Sequence, residues 1–119
     1  MVDDDESVRT MIGRAITELG YPVHEAPDGE SAIAMVREGQ IQLVILDYVM
    51  PGMDGAETAR QIANIDPDLP LIFSTGHSAL RTLRSAAGED VSVLEKPFTL
   101  DELGDLIQEK LAERKRKPL

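Results

Sequence analysis

The chain has 119 residues, 42% of them hydrophobic, and its 22 acidic and 12 basic residues give a formal net charge of −10 at pH 7. This length suits one domain with a single core, and so acidic a surface argues against direct binding to nucleic acid. Cysteine is absent, which excludes disulfides and thiolate metal sites, and no apolar run approaches the roughly 20 residues that cross a bilayer. We therefore expect a cytoplasmic protein without membrane contact.

Helical and strand patterns alternate along the first half of the chain. Apolar residues recur at helical spacing in two segments, and two other segments are short and apolar. We predict helices over residues 6–19 and 29–38 and strands over residues 22–26 and 41–46. The second strand is almost continuously apolar, which is typical of a strand covered on both faces. Residues 51–55 contain proline and two glycines and predict a loop.

The same alternation continues through the second half. We predict strands over residues 71–74 and 91–94 and helices over residues 56–65, 79–87 and about 100–114. Strands separated by single helices imply a parallel sheet with right-handed crossovers. The sequence thus predicts one doubly wound α/β domain over residues 1–119. We interpret the basic tail at about 114–119 as a helix end fraying into solvent; the alternative is a tether to nucleic acid or membrane.

Polar residues end the apolar runs at the edge of the sheet where ligands gather in such folds. They are Asp3, Asp4, Asp47, Thr75 and Lys96. Three neighbouring carboxylates repel one another, so either their pKa values rise or a cation joins them. Oxygen donors without histidine or cysteine favour a hard cation such as Mg²⁺. A carboxylate is also a nucleophile toward phosphorus, and a lysine and a hydroxyl suit phosphoryl oxygens.

Four segments occur in an order and at a spacing that resemble one family, the response-regulator receiver domains of two-component signalling. They are Val2-Asp3-Asp4-Asp5, residues 46–55 (LDYVMPGMDG), Ser74-Thr75-Gly76 and Glu95-Lys96-Pro97-Phe98. The resemblance covers essentially the whole chain and implies a flavodoxin-like (βα)5 sandwich with a parallel sheet in 2-1-3-4-5 order. Residues 66–70 and 75–77 are, in addition, similar to receivers attached to hybrid sensor histidine kinases.

The resemblance implies a role for each acidic residue of the site. Asp47 matches the phosphoacceptor, Asp4 the direct Mg²⁺ ligand, and Asp3 the carboxylate that holds the ion through water. The backbone carbonyl of Val49 would be the third protein ligand. Asp5, by contrast, is interpreted as the N-cap of the first helix.

The resemblance also implies the partners and the output. Lys96 matches the lysine that contacts the phosphoryl group, after a peptide bond to Pro97 that is cis in the family, and Thr75 matches the switch hydroxyl. A histidine kinase or histidine phosphotransfer protein would phosphorylate Asp47, and a downstream protein would recognise the product. Such a chain assists its own phosphorylation and dephosphorylation but is not an enzyme with a free substrate, and we expect a monomer or a weak dimer.

Two positions depart from the family pattern. Only Met1 and Val2 precede Asp3, so the first strand looks truncated, and its two neighbours would lose hydrogen bonds worth roughly 1 kcal/mol each. An upstream start, a truncated sequence and a swapped segment are all open explanations. Val93 occupies the place of an aromatic residue that reports phosphorylation in many receivers. We therefore expect the output to pass through Thr75 and the helix that follows it, or through a different surface.

Other classes of function remain open from the sequence. A phosphorylation-independent adaptor with a receiver fold is one, and a small Mg²⁺-dependent phosphatase is another. Such phosphatases are similar to the haloacid dehalogenase family, whose nucleophile is followed two residues later by a second aspartate, where this chain has Val49. A flavodoxin-like FMN carrier is disfavoured because no phosphate-binding loop rich in serine and threonine follows the first strand.

Overall fold

The structure, a computed structural model, describes residues 1–88 and 91–116, without the side chains of residues 77, 87 and 114–116. Its helices are α1 (Glu6–Glu18), α2 (Gly29–Arg37), α3 (Gly55–Ile65), α4 (His77–Ala87) and α5 (Leu100–Arg116). Its strands are β1 (Val44–Asp47), β2 (Leu71–Gly76) and β3 (Ser92–Lys96). The basic side chains of the predicted tail at 114–119 lie outside the described part of the chain. Within that part, none of the helices is both long and apolar enough to span a membrane.

The sheet is parallel and has the predicted strand order. β1 pairs with β2, and β2 pairs with β3. On the other side of β1, Val2 forms one parallel bridge to Leu46 and another to Ala26. The order across the sheet is therefore Ala26, Val2, β1, β2, β3, which corresponds to 2-1-3-4-5.

The first strand is reduced to the residues around Val2. These residues still form backbone hydrogen bonds with both neighbouring segments at the edge of the sheet that carries Asp3 and Asp4. Four backbone hydrogen bonds join this stub to its neighbours: Val2 N to Ile45 O at 2.8 Å, Asp47 N to Val2 O at 2.9 Å, Asp3 N to Ala26 O at 3.2 Å and Ala26 N to Met1 O at 3.0 Å. The chain's own first residues thus occupy this place between the two neighbours, and no swapped segment is needed to seat Asp3.

The prediction of a strand over residues 22–26 is wrong. Only Ala26 pairs with a neighbour, and residues 21–25 have no regular secondary structure. The reason is that a strand requires a partner of matching length, and here the partner offers little beyond Val2. The apolar residues of this segment pack against the apolar core but do not form a hydrogen-bonded ladder with a neighbouring strand.

Two apolar layers pack on the two faces of the sheet. The layer under α2, α3 and α4 contains Ala32, Ile33, Val36, Ile62, Phe73 and Leu83. The layer under α1 and α5 contains Ile12, Ile16, Ile45, Leu103 and Ile107. All four residues of β1 are buried, which confirms the prediction of a strand covered on both faces, although the strand begins at Val44 instead of residue 41 and continues to Asp47.

The later strands run further than their apolar runs predicted. β2 continues to Gly76 and β3 to Lys96, two residues beyond the predicted ends. The ladder explains this extension, because Thr75 pairs with Glu95 and Gly76 with Lys96. α4 consequently begins at His77 instead of residue 79.

Side chains cap four of the five helices. The carboxylates of Asp5, Asp28 and Asp54 accept backbone N–H groups at the starts of α1, α2 and α3, and the Thr99 hydroxyl accepts the N–H of Glu102 at the start of α5. The predicted cap at Asp5 is therefore confirmed. α4 differs, because its N-cap is Gly76, which has no side chain to offer.

Candidate functional site

Three carboxylates meet at the carboxyl edge of the sheet. Asp3 follows the Val2 bridge, Asp4 is its neighbour, and Asp47 ends β1. Each of the three offers an oxygen within 4.8 Å of the others. Asp3 and Asp47 are buried, whereas Asp4 is exposed. The sequence-based prediction of an acidic cluster at this edge agrees with the structure.

Lys96 brings a cation to the two buried carboxylates. Its Nζ lies 3.6 Å from Asp3 Oδ2 and 3.7 Å from Asp47 Oδ1. These distances are those of ion pairs rather than of hydrogen bonds, which are near 2.9 Å. The side chain remains one-third exposed, so the ammonium group faces both the cluster and solvent. It is well placed to contact an anion that approaches Asp47.

The electrostatics of Asp47 reflect burial and crowding. Burial, followed by the charge of Asp3, raises the pKa of the Asp47 carboxyl from 3.8 to about 6. The Lys96 charge and a hydrogen bond from the Val49 backbone N–H act in the opposite direction. Repulsion within the cluster therefore exceeds the compensation that Lys96 provides.

The buried oxygens of Asp3 indicate that the cluster suits a cation. Asp3 Oδ1 accepts the N–H of Asp5 at 2.9 Å. Asp3 Oδ2 is buried and has no hydrogen-bond partner among the described residues. A buried carboxylate oxygen that accepts no hydrogen bond is costly; Lys96 compensates it in part through the ion pair, and a metal ion would add a direct ligand bond. An all-oxygen donor set with three carboxylates fits a hard divalent ion such as Mg²⁺.

Thr75 lies at the same edge on the neighbouring strand. In the β1–β2 register Asp47 pairs with Ser74, so Thr75 stands one residue beyond Asp47. Its side chain is fully buried, and its hydroxyl donates to Gly76 O at 3.4 Å. Thr75 thus lies at the carboxyl end of β2, two residues before α4 begins, and its role as the switch hydroxyl stays a prediction.

Val49 contacts the site through its backbone. Its N–H donates to the Asp47 carboxylate, while its side chain is 60% exposed. The loop after β1 thus brings main-chain polar groups, rather than a side chain, to the acidic cluster. The assignment of the Val49 carbonyl as a metal ligand stays a prediction.

Three further residues support the site, and their contacts were not predicted from the sequence. Arg9 donates to the Asp3 carbonyl at 2.9 Å. Tyr48 follows Asp47, and its hydroxyl lies 3.5 Å from the Thr82 carbonyl in α4. A Cβ on Gly55 would lie 2.7 Å from Tyr48 Cα and 2.9 Å from Asp47 O. Only the glycine carries a signal in the sequence, as the last residue of a turn-rich loop, because the other two depend on tertiary contacts.

Known proteins match this chain over most of its length. The family described as "Response regulator receiver domain" matches residues 1–108. The "Response regulator receiver protein CpdR" of Brucella abortus (strain 2308) is 38% identical over 112 residues, which are 93% of each protein. The "Sensor kinase CckA" of the same strain is 35% identical over 114 residues, which are 93% of this chain and 12% of that protein. The chain thus matches nearly all of a small protein and only one part of a larger kinase. The similarity therefore concerns a single domain that both proteins contain.

The fold is also shared with a solved structure of this kind. The structure of a response regulator receiver domain protein from Clostridium thermocellum superposes with a TM-score of 0.88 at 27% identity, over 96% of this chain and 93% of that one. The parallel sheet between two layers of helices is thus the same architecture.

Proposed function

Since the chain belongs to the response-regulator receiver family, we propose that it accepts a phosphoryl group on Asp47 from a histidine kinase or a histidine phosphotransfer protein. The observation that carries the proposal is the placement of the Asp47 carboxylate between two further carboxylates and the Lys96 ammonium. A nucleophile, a set of oxygen donors and a cation for the incoming group then share one edge of the sheet.

The transfer is a displacement at phosphorus. An oxygen of Asp47 bonds to phosphorus while the phosphorus–nitrogen bond of the donor phosphohistidine breaks, and the imidazole nitrogen keeps the electron pair. With a pKa of about 6, Asp47 is mostly ionised at pH 7 and is therefore a competent nucleophile. Lys96 stabilises the negative charge on the phosphoryl oxygens.

The proposed metal site uses four protein groups: the carboxylates of Asp3, Asp4 and Asp47 and the backbone carbonyl of Val49. A bound Mg²⁺ would supply positive charge beside the phosphoryl oxygens. The chain's own contribution is to hold three like charges close together before the ion and the phosphoryl group arrive. Folding supplies the free energy for that crowding, through the Val2 bridge and the buried end of β1.

Phosphorylation would then be transmitted along β2. A phosphoryl group adds roughly −1.5 to −2 charge at pH 7 if it behaves like other phosphorylated side chains. Thr75 stands one residue further along the edge, so its hydroxyl would turn from Gly76 toward the new oxygens. Because His77 starts α4 two residues later, this movement would bias α4 and the surface that a downstream protein reads.

Intact-protein mass spectrometry tests the proposal. We expect one phosphoryl adduct after incubation with Mg²⁺ and acetyl phosphate. The adduct should require Mg²⁺, be absent from Asp47→Asn and be slowed in Lys96→Met. A folded wild-type protein without the adduct would contradict the phosphoacceptor assignment.

The same samples separate the two rival functions. Mg²⁺-dependent turnover of a generic phosphate ester, with unmodified Asp47 as the end state, would indicate a phosphatase. Failure of the folded protein to bind Mg²⁺ would indicate an adaptor that acts without phosphorylation. Labelled Asp47 as the stable product distinguishes the receiver from both.

A further inference from the structure

Arg9 links three separate segments of the chain through one guanidinium group. It lies in the second turn of α1, and its side chain is only 15% exposed. Nη1 donates to the backbone carbonyl of Asp3 at 2.9 Å, and Nε donates to Glu25 Oε1 at 3.2 Å. Arg9 therefore ties α1 to the acidic pair and to the segment that precedes the Ala26 bridge.

The acidic pair needs such support because its strand is so short. Val2 hydrogen-bonds to β1, and Met1 and Asp3 hydrogen-bond to Ala26, but the ladder ends at Asp3 N. Asp4 lies beyond it and is exposed, and no hydrogen bond among the described residues holds its side chain. The Asp3 carbonyl belongs to the peptide that joins Asp3 to Asp4. The orientation of this peptide consequently fixes the position of the Asp4 Cα, from which the Asp4 side chain extends toward the cluster.

Arg9 differs from Lys96 in what it contacts. Lys96 lies beside carboxylate oxygens of the cluster, whereas Arg9 binds a neutral carbonyl and shares its charge with Glu25. Its contribution to the site is therefore directional rather than electrostatic. A planar guanidinium with donors at fixed angles suits this task, because two hydrogen bonds fix its plane.

We propose that Arg9 is a positioning residue for the divalent-cation site: it orients the Asp3–Asp4 peptide so that the carboxylate of Asp4 joins those of Asp3 and Asp47. The inference rests on the proposed function only in assuming that this cluster binds Mg²⁺. Outer groups that orient ligands in this way typically change metal affinity by about 10- to 100-fold when they are removed.

Calorimetric titration with Mg²⁺ alone tests the inference on four proteins: wild type, Arg9→Met, Arg9→Lys and Glu25→Gln. Arg9→Met keeps most of the apolar stem and removes both donors, and we expect roughly tenfold weaker Mg²⁺ binding. Arg9→Lys keeps the charge but not the planar fork, so it should recover only part of this loss. Glu25→Gln keeps an acceptor for Nε and should differ from wild type by about twofold or less.

A purely structural role predicts a different pattern. If Arg9 only stabilises the fold, Arg9→Met lowers the melting temperature but leaves the Mg²⁺ dissociation constant unchanged, and the inference is wrong. If Arg9 acts only through its charge, Arg9→Lys restores wild-type affinity, which also overturns it. Should Arg9→Met fail to fold, weaker Mg²⁺ binding by the folded Arg9→Lys protein than by wild type still supports the inference.

Phosphorylation at saturating Mg²⁺ separates this inference from the proposed function. Because Asp47 and Lys96 are untouched, Arg9→Met should form the adduct at nearly the wild-type rate once Mg²⁺ is in excess. A wild-type protein that binds Mg²⁺ but never forms the adduct would refute the phosphoacceptor function and leave the role of Arg9 standing. An equal Mg²⁺ affinity in wild type and Arg9→Met would refute the role of Arg9 alone.

Discussion

α1 and α4 each begin two residues after a site residue, but the two helices are held very differently. α1 follows Asp4 and starts at the Asp5 cap, which accepts two backbone N–H groups. α4 follows Thr75 and starts at Gly76, which caps nothing with a side chain. α1 buries Ile12 and Ile16 in the apolar layer it shares with α5. Among the described side chains of α4, Leu83 alone is buried.

This difference matches what the two regions are proposed to do. A metal site requires ligands that stay in place, because misplaced ligands lose affinity. A switch requires an element whose position costs little free energy to change. The side of the site that carries Asp3 and Asp47, here called the firm side, is held by backbone hydrogen bonds and burial. The side that begins at Thr75, here called the loose side, leads into a helix that has one buried residue among its described side chains.

The largest expected effect on stability comes from a substitution at Gly55, which packs against the backbone beside Asp47. An alanine Cβ there would lie 2.7 Å from Tyr48 Cα and 2.9 Å from Asp47 O, so backbone must move. We expect Gly55→Ala to lower the free energy of unfolding by about 3 kcal/mol in urea denaturation. Gly13→Ala is the matched control within α1, where the nearest atom lies 3.5 Å away. It should be neutral or stabilising by up to about 1 kcal/mol; equal losses in both variants would contradict the account of Gly55.

The second prediction concerns the burial of Asp47 and its crowding by Asp3, which together raise the pKa of its carboxyl. Its pKa is about 6 in the native protein and 3.8 ordinarily, so the native state binds more protons than the unfolded state between these values. Stability from this group therefore increases as the pH falls from about 7 through 6 toward 4 and is lost as the pH rises again.

Asp47→Asn removes this penalty. Without Mg²⁺ at pH 7, we expect it to raise the free energy of unfolding by about 1–2 kcal/mol, after allowance for solvent screening. The difference from wild type should shrink toward pH 4, as Asp47 becomes protonated, and should also fall when Mg²⁺ is added, since the ion favours the native carboxylates. A variant that is less stable than wild type at pH 7 would refute the argument that burial and crowding destabilise the ionised Asp47 carboxylate.

The sequence predicted those parts of the firm side that depend on local pattern. The almost continuously apolar run over residues 41–46 predicted a strand buried on both faces, and Asp5 before a helical pattern indicated a cap; both hold. The acidic cluster was predictable because parallel strands bring their carboxyl ends together. The metal ligand roles of Asp3, Asp4 and Val49 and the switch role of Thr75 stay predictions.

Other features could not be predicted because they depend on contacts made across the fold. The prediction of a strand over residues 22–26 was wrong because pairing depends on the length of the partner strand, which here is the short segment around Val2. β2 extended to Gly76 because β3 pairs with its polar end, although the apolar run had stopped. The contacts of Arg9 likewise appear only once α1 packs beside the Val2 bridge.

The third prediction concerns the start of α4, where a substitution would add the missing side-chain cap. Gly76 has φ −82 and ψ 166, which other residues adopt readily, and a Cβ there would meet no atom within 4 Å. We expect Gly76→Ser to stabilise the protein by about 0.5–1 kcal/mol, because a serine cap accepts an orphan N–H and the unfolded chain loses freedom. Gly76→Ala is the control, because it shares the second effect without the cap. Amide hydrogen exchange should slow in the first turn of α4 in Gly76→Ser and less in Gly76→Ala; identical protection would show that the missing cap is not what loosens this helix.

The smallest expected effect concerns the side-chain link between the two regions. Tyr48 follows the proposed phosphoacceptor, packs edge-to-face on Phe73 with ring centroids 5.9 Å apart, and places its hydroxyl 3.5 Å from the Thr82 carbonyl. At that length the hydrogen bond is weak, so Tyr48→Phe should cost about 0.5 kcal/mol or less, while ring packing is kept.

The local result should nevertheless be clear. In Tyr48→Phe, amide exchange should become faster in the middle of α4 and stay unchanged in α1, because the variant loses the hydrogen bond to the Thr82 carbonyl. Tyr21→Phe is the matched control, since Tyr21 packs in the opposite apolar layer and its change should leave α4 exchange at the wild-type rate. If α4 exchanges at the same rate in both variants, the Tyr48 hydroxyl does not help to hold this helix, and a side-chain link between the two regions through Tyr48 is refuted.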